Sequence, residues 1–260
     1  MSNPLLAVNN VTVKFGGIVA LNGVSFDITA GQICALIGPN GAGKSTFFNC
    51  LSRLYDYRKG SIAFNGIDLQ TVQPHSMVQL GIGRTFQNLA LFKSMTVRDN
   101  ILVGCHSSYE AGFLKNMFRL PGPNRIAVDA NKNVASLIDY LDLGPVSNTV
   151  VADLPFGTQK RVELARALAS KPKLLLLDEP ACGLNHEELE RLGKLIRDIR
   201  DSLKISVLLV EHHMGLVMGI SDHVVALNFG KKIAEGTPDA VRKHPEVISA
   251  YLGVDESATP

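Results

Sequence analysis

Several features that would mark a compartment or a nucleic-acid role are scarce in this sequence. There are four cysteines in 260 residues, Cys34, Cys50, Cys105 and Cys182. They are far apart and form no CxxC pair, so neither a disulfide framework nor a zinc cluster is expected, and the thiols read as reduced. No polybasic run occurs. The formal net charge of +2 comes from scattered Lys and Arg, and nucleic acid is not an expected partner. No apolar run approaches the ~18 residues of a membrane span, the longest being of the type LKISVLLV, and no signal peptide is expected. Work at a membrane would then be peripheral. Repeats and low-complexity segments are also lacking. What is present is apolar bulk: 46% of the chain, enough for one large α/β domain or two small ones.

The coarse pattern is strand-rich at first. VTVKF (Val11 to Phe15) alternates as a half-buried strand does. SIAFNGIDL carries Asn65-Gly66, a hairpin signal. ICALIG (Ile33 to Gly38), LLLLDE (Leu174 to Glu179) and ISVLLVEH (Ile205 to His212) are short continuous apolar runs suited to buried parallel strands. Apolar residues at 189, 192, 196, 199 and 203 have helical spacing, with Glu187–Arg191 and Glu190–Lys194 as outer i,i+4 pairs. Strand and helix therefore alternate in the C-terminal half, which implies a parallel sheet with crossover helices. Residues 88–170 read as mostly helical, with a capping-box pattern from Thr96 to Asp99. Thr237-Pro238 reads as an N-cap followed by proline at the first helical position.

The chemistry begins at GPNGAGKST, which fits G-x-x-x-x-G-K-[ST] between a buried strand and the helical text FFNCLSRL. Gly38, Pro39, Asn40 and Gly41 open the loop, and Ala42 and Gly43 lead into Lys44, Ser45 and Thr46. Glycine backbone there lets N–H groups curl around phosphate oxygens, aided by the dipole of the following helix. Lys44 is placed to reach the β- and γ-phosphates of ATP, and Ser45 to offer its hydroxyl to Mg²⁺. The strand LLLLDE brings Asp178 and Glu179 to its C-terminal end, where ligands bind in open α/β sheets. Asp178 is placed to hold Mg²⁺, and Glu179 to polarise an attacking water.

Further motifs follow in a fixed order, and with them the chain resembles the ATP-binding subunits of ABC transporters over nearly its whole length. In that resemblance Phe15 matches the aromatic that stacks on adenine, and RTFQN places Gln87 at the glutamine loop, near the metal. LPFGTQ (Leu154, Pro155, Phe156, Gly157, Thr158, Gln159) matches the signature usually written L-S-G-G-Q. ACGLN carries Asn185 in the inter-subunit turn, and VEHHM gives the switch histidine His212. His213 beside it has no assigned role. The resemblance implies a fold of the α/β P-loop ABC-type ATPase core, a mixed sheet with antiparallel edge strands. The core spans 1–87 and 171–260, with an inserted helical subdomain at 88–170. It also implies that two ATPase subunits meet head to tail, each ATP lying between one phosphate loop and the other's signature helix. The N–H groups of Gly157, Thr158 and Gln159 are expected to face that γ-phosphate.

Departures from the family pattern narrow the branch. Pro155 stands where serine is usual, which removes a hydroxyl contact worth about 1.5–3 kcal/mol. Phe156 replaces a glycine, Thr158 a glutamine, and Asn185 an aspartate, so a weaker or asymmetric site is expected. GRTFQN, LPFGTQKRVELARAL, DEPACGLN and LLVEHHMGLVMGISDHVVAL together resemble the branched-chain amino-acid transport ATPases. That type implies a second ATPase subunit, two membrane permeases and a substrate-binding protein as partners, and a place on the cytoplasmic face of the membrane. Related urea or amide importers, lipid or lipopolysaccharide exporters and soluble non-transport ABC ATPases are the alternatives. Finally, GFLKNMFRLPG (112–122) reads as an amphipathic helix, with Phe113, Leu114, Met117 and Phe118 on one face, covering the subdomain or meeting permease or lipid.

Overall fold

A computed structural model describes residues 3–86, 89–105 and 123–252. The chain falls into two compact units, one formed by residues up to Met77 and from Leu176 onward, the other by Val78–Leu175. Residue 87 and the amphipathic stretch 112–122 lie outside the described residues.

In the first unit, β1 (Leu6–Phe15) pairs antiparallel with β2 (Ile18–Ile28) and with β4 (Lys59–Phe64), and β5 (Ile67–Asp68) closes a four-stranded sheet of order β2-β1-β4-β5. Val11 and Val13 are buried while Lys14 is exposed. The β4–β5 turn has the two left-handed residues that a tight hairpin needs, Asn65 at φ 49° and Gly66 at φ 79°. These four antiparallel strands form a sheet of their own.

Within the first unit, the strands of a second, six-stranded sheet follow the order β10-β9-β3-β8-β7. Here β3 (Ile33–Ile37), β7 (Leu174–Asp178) and β8 (Ser206–Val210) are buried at every residue, as strands covered on both faces are. β3 runs parallel to β8 and to β9 (His223–Asn228), while β10 (Lys231–Gly236) is antiparallel to β9. Strands β9 and β10 are not among the sequence expectations, although HVVALN is an apolar run followed by the turn Phe229-Gly230. Helix α1 (Lys44–Leu51) buries Phe47, Phe48, Cys50 and Leu51.

The second unit contains β6 (Ile82–Arg84) and the first residues of β7, joined where Lys173 and Leu174 N–H groups donate to the Gly81 carbonyl at 2.7 and 3.0 Å. Its helices are α2 (Val97–Gly104), α3 (Pro123–Tyr140) and α4 (Phe156–Ala169). Thr96 caps α2 by accepting from Asp99 N–H, and its hydroxyl donates to the Asp99 carboxylate at 2.6 Å. Helices α2 and α4 touch backbone to backbone, because a Cβ on Gly104 would lie 2.1 Å from the Arg166 carbonyl oxygen.

Back in the first unit, α5 (His186–Leu203) buries Leu189, Gly193, Ile196 and Ile199. Leu203, expected on the same face, is 40% exposed. It is the last helical residue, and the chain turns away through left-handed Lys204 at φ 57°. Glu187 pairs with Arg191 as expected, and Glu190 lies 3.5 Å from His186. Helices α6 (Met214–Ile220), α7 (Pro238–Arg242) and α8 (Pro245–Leu252) complete the unit, with Thr237 capping α7 ahead of Pro238.

Candidate functional site

The loop between β3 and α1 holds a backbone shape that side chains would obstruct. Gly38, Gly41 and Gly43 have φ of +149°, +81° and +104°. A Cβ on Gly38 would sit 2.2 Å from the Leu227 carbonyl oxygen, and one on Gly43 would sit 2.6 Å from that of Ala20. Helix α1 starts at Lys44 with no side-chain cap, which leaves its first N–H groups for an anion. The loop is anchored from behind as well: Gly38 N–H donates to the Tyr251 hydroxyl of α8 at 2.7 Å, and Gly230 N–H to the Ala42 carbonyl at 3.0 Å. Burial raises the Tyr251 hydroxyl to about 12, so it stays protonated.

Lys44 is buried, and its ammonium donates to the Gly38 and Pro39 carbonyls at 2.6 and 2.9 Å. Burial holds it below the usual lysine range, while the Glu179 and Asp178 carboxylates pull the other way. Both carboxylates sit where β7 ends. Asp178 is the last strand residue and is buried. Glu179 follows at φ 48°, in the left-handed region, where a glutamate carries strain of roughly 1–3 kcal/mol. Its N–H donates to the Val210 carbonyl at 2.9 Å. Its Oε1 lies 2.8 Å from His212 Nε2, so the side chains expected to share work are in contact.

A cleft of about 340 Å³ is lined by Asn40 to Thr46, by Glu179 and His212, and on its apolar side by Ile18, Val19, Ala20 and Phe229. Phe15 is not in that lining. It stands half-exposed at the end of β1, edge-on to Tyr55 at 5.1 Å. Oxygen donors at Ser45 and Asp178 match a hard divalent cation.

The signature segment belongs to the second unit. Leu154 is buried, Pro155 is the N-cap residue of α4, and Phe156 is exposed. The expectation for its N–H groups needs correction. Thr158 and Gln159 N–H both donate to the Pro155 carbonyl at 3.0 Å, because the cap carbonyl takes the first intrahelical bonds. The uncommitted positions are one step earlier, Phe156 and Gly157. Proline has no side-chain oxygen to cap them. The Gln159 side chain donates back to the Leu154 carbonyl at 2.8 Å.

Gln87 lies outside the described residues, but both its shoulders are held. Glu163 of α4 accepts from Phe86 and Ala90 N–H at 3.2 Å with a single oxygen, and Arg166 donates to the Ala90 carbonyl. Burial raises the Glu163 carboxyl above its usual value, against the two backbone bonds and the Arg166 and Lys160 charges. Asn185 is also placed. Its side chain accepts from Glu188 N–H at 3.0 Å, and Glu188 accepts from Asn185 N–H at 2.9 Å, a complete capping box. N-x-x-E in the text was the signal for it. His213 caps α6, its Nδ1 accepting from Leu216 N–H at 3.2 Å. Glu211, Glu163 and Tyr251 were missed at the sequence level, since each gains meaning only from partners far away in the chain.

Comparison with known proteins agrees with this geometry. The family described as ABC transporter matches residues 21–182, and the one described as branched-chain amino acid ATP-binding cassette transporter matches residues 231–257. The chain is 42% identical over 253 residues to the high-affinity branched-chain amino acid transport ATP-binding protein BraF of Pseudomonas aeruginosa, covering 97% of this chain and 99% of that protein. It is 40% identical, with the same coverage, to the corresponding protein LivG of Escherichia coli. Among solved structures, the ADP conformation of an ATP-binding cassette of an ABC transporter superposes with TM-score 0.83 at 28% identity, over 97% of this chain and 100% of that one. A nucleotide-free cassette superposes with TM-score 0.82 at 27% identity, over 96% of this chain and 99% of that one.

Proposed function

The chain belongs to the ABC transporter family as an ATP-binding, ATP-hydrolysing subunit, and from that premise we propose that it drives uptake of branched-chain amino acids. The observation that carries the cargo is full-length likeness to two proteins whose names specify that transport, together with the match over residues 231–257. ATP enters the cleft with its phosphates on the Asn40–Thr46 backbone. Lys44 exchanges the Gly38 and Pro39 carbonyls for the β- and γ-phosphate oxygens. Ser45, Asp178 and Gln87 would hold Mg²⁺, which would supply neutralising charge at the phosphates when bound. Glu179 accepts a proton from water as its oxygen attacks the γ-phosphorus. The bond to the bridging oxygen breaks, and its electron pair stays on ADP. His212, in contact with Glu179, steadies the γ-phosphate and the water. Catalysis is positioning plus electrostatics.

Gly157 and Phe156 N–H groups serve a second ATPase subunit's γ-phosphate, so the working unit is a dimer, and Asn185 holds the turn near that boundary. Phe15 supplies an aromatic face for adenine. The helical subdomain at 88–170 offers a groove for a cytoplasmic helix of a permease, the whole transporter having two membrane permeases and a substrate-binding protein that delivers cargo outside. No described helix is long and apolar enough to cross a membrane, and attachment to the cytoplasmic face runs through those permeases. The test is to isolate the chain with its native partners and measure ATPase activity with candidate solutes. Leucine, isoleucine or valine should stimulate it. Stimulation by urea or short amides alone would overturn the cargo assignment.

A further inference from the structure

Glu211 stands between the end of β8 and His212, and it is 3% exposed. Its Oε1 accepts from Ala181 N–H at 2.6 Å. Its Oε2 accepts from His212 N–H at 3.0 Å and from His213 N–H at 3.3 Å. Three backbone donors from two separate segments therefore converge on one buried carboxylate. One segment leaves Glu179 and runs through Ala181 toward Asn185. The other carries His212. A charged acceptor makes such bonds about twice as strong as a neutral one, and a buried carboxylate without partners would not be retained.

We propose that Glu211 is a positioning residue for hydrolysis: it locks the backbone turns after β7 and β8 together, and so sets the contact between Glu179 and His212. The side-chain contact at 2.8 Å spans two turns whose backbones also meet where Glu179 N–H donates to the Val210 carbonyl at 2.9 Å. The same carboxylate fixes the start of the turn leading to Asn185. An amide in its place keeps one acceptor and presents an NH₂ group to N–H donors, so one of the two turns must lose its hold. Phosphate binding does not depend on this lock, because the loop and Lys44 are held by Tyr251, Gly230 and their own carbonyls.

This inference rests on the assignment of Glu179 and His212 to hydrolysis, and the experiment separates the two. Full chain assembled with its transporter partners is assayed as parent, Glu211→Gln, Glu211→Asp and Glu179→Gln. For both Glu211 variants kcat should fall by roughly tenfold or more, since an ångström of misplacement costs up to about a hundredfold. ATP affinity should stay within about twofold of parent. The His212 imidazole resonances of the isolated chain should move, while the bulk of the amide spectrum keeps its dispersion. Glu211→Asp, which retains the charge but draws the acceptor back by one methylene, gives the same readout should the glutamine variant fold poorly. Unchanged kcat, or kcat and ATP affinity lost in parallel, overturns the positioning role. If Glu179→Gln itself turns over normally, the functional assignment falls. If Glu179→Gln is inert and Glu211→Gln is normal, only the present inference falls.

Discussion

The phosphate loop of the first unit and the signature helix of the second both end in the N-terminus of a helix, yet they are finished to different degrees. Around the loop every charged group already has a partner: Lys44 rests on two carbonyls, Glu179 touches His212, and Glu211 gathers three N–H groups. At the head of α4 the cap is a proline, and the first two N–H groups precede the first intrahelical bond. A helix end left in that state is an anion site in waiting. On the function proposed above, the first half would bind a nucleotide with its own residues, and the second would complete a ligand held by another subunit.

The largest expected effect breaks the finished half. Glu179→Gln should bind ATP near-normally and lose turnover by roughly a hundredfold or more, as read by phosphate release against equilibrium ATP binding. Ordinary phosphate release by that variant would remove Glu179 from its role. Gly38→Ala should come next. Its methyl would run into the Leu227 carbonyl from a left-handed backbone, so unfolding titrations should show a loss of roughly 3 kcal/mol or more, with ATP binding weakened in step.

Smaller effects follow, one in the first unit and two on the signature helix. Asn185→Ala should cost about 1 kcal/mol in denaturant melts through loss of its cap. Pro155→Ser would add a capping oxygen and a possible phosphate ligand. Thermal midpoint should rise slightly, and ATPase rate in the assembled transporter should rise or stay level. A collapsed rate would show that the bare helix end matters. For Glu163 the folded carboxyl titrates above its usual value because of burial, so the folded state binds its proton more tightly than the unfolded chain does. That contribution to stability is full below the ordinary carboxylate range and is lost as pH rises through the raised value. Glu163→Gln, which keeps the acceptor for Phe86 and Ala90, should therefore flatten the fall in stability as pH rises above the ordinary carboxylate range, read from denaturant melts across that rise.

The legible parts of the site were contiguous. GPNGAGKST, LLLLDE and the Asn65-Gly66 turn each state their chemistry within a few residues, because loop geometry and strand burial are local. Strands β9 and β10 escaped because HVVALN and KKIAEG are short and carry no motif. The roles of Glu211 and Glu163 were illegible for a deeper reason. A buried glutamate is read from its partners, and Ala181 and Phe86 lie 30 and 77 positions away. Of the expected signature donors, Thr158 and Gln159 are spent inside the helix, because the register of a helix start depends on which carbonyl takes the first bond, and here it is Pro155.

The Tyr251 hydroxyl reaches the first amide of the phosphate loop from the last described helix. Whatever pulls on that helix, whether a purification handle fused just behind it or a truncation that frays its final turn, is therefore felt at the nucleotide. Engineered versions of this subunit should carry their additions at the other terminus, and any downstream neighbour that grips α8 would gain a lever on ATP.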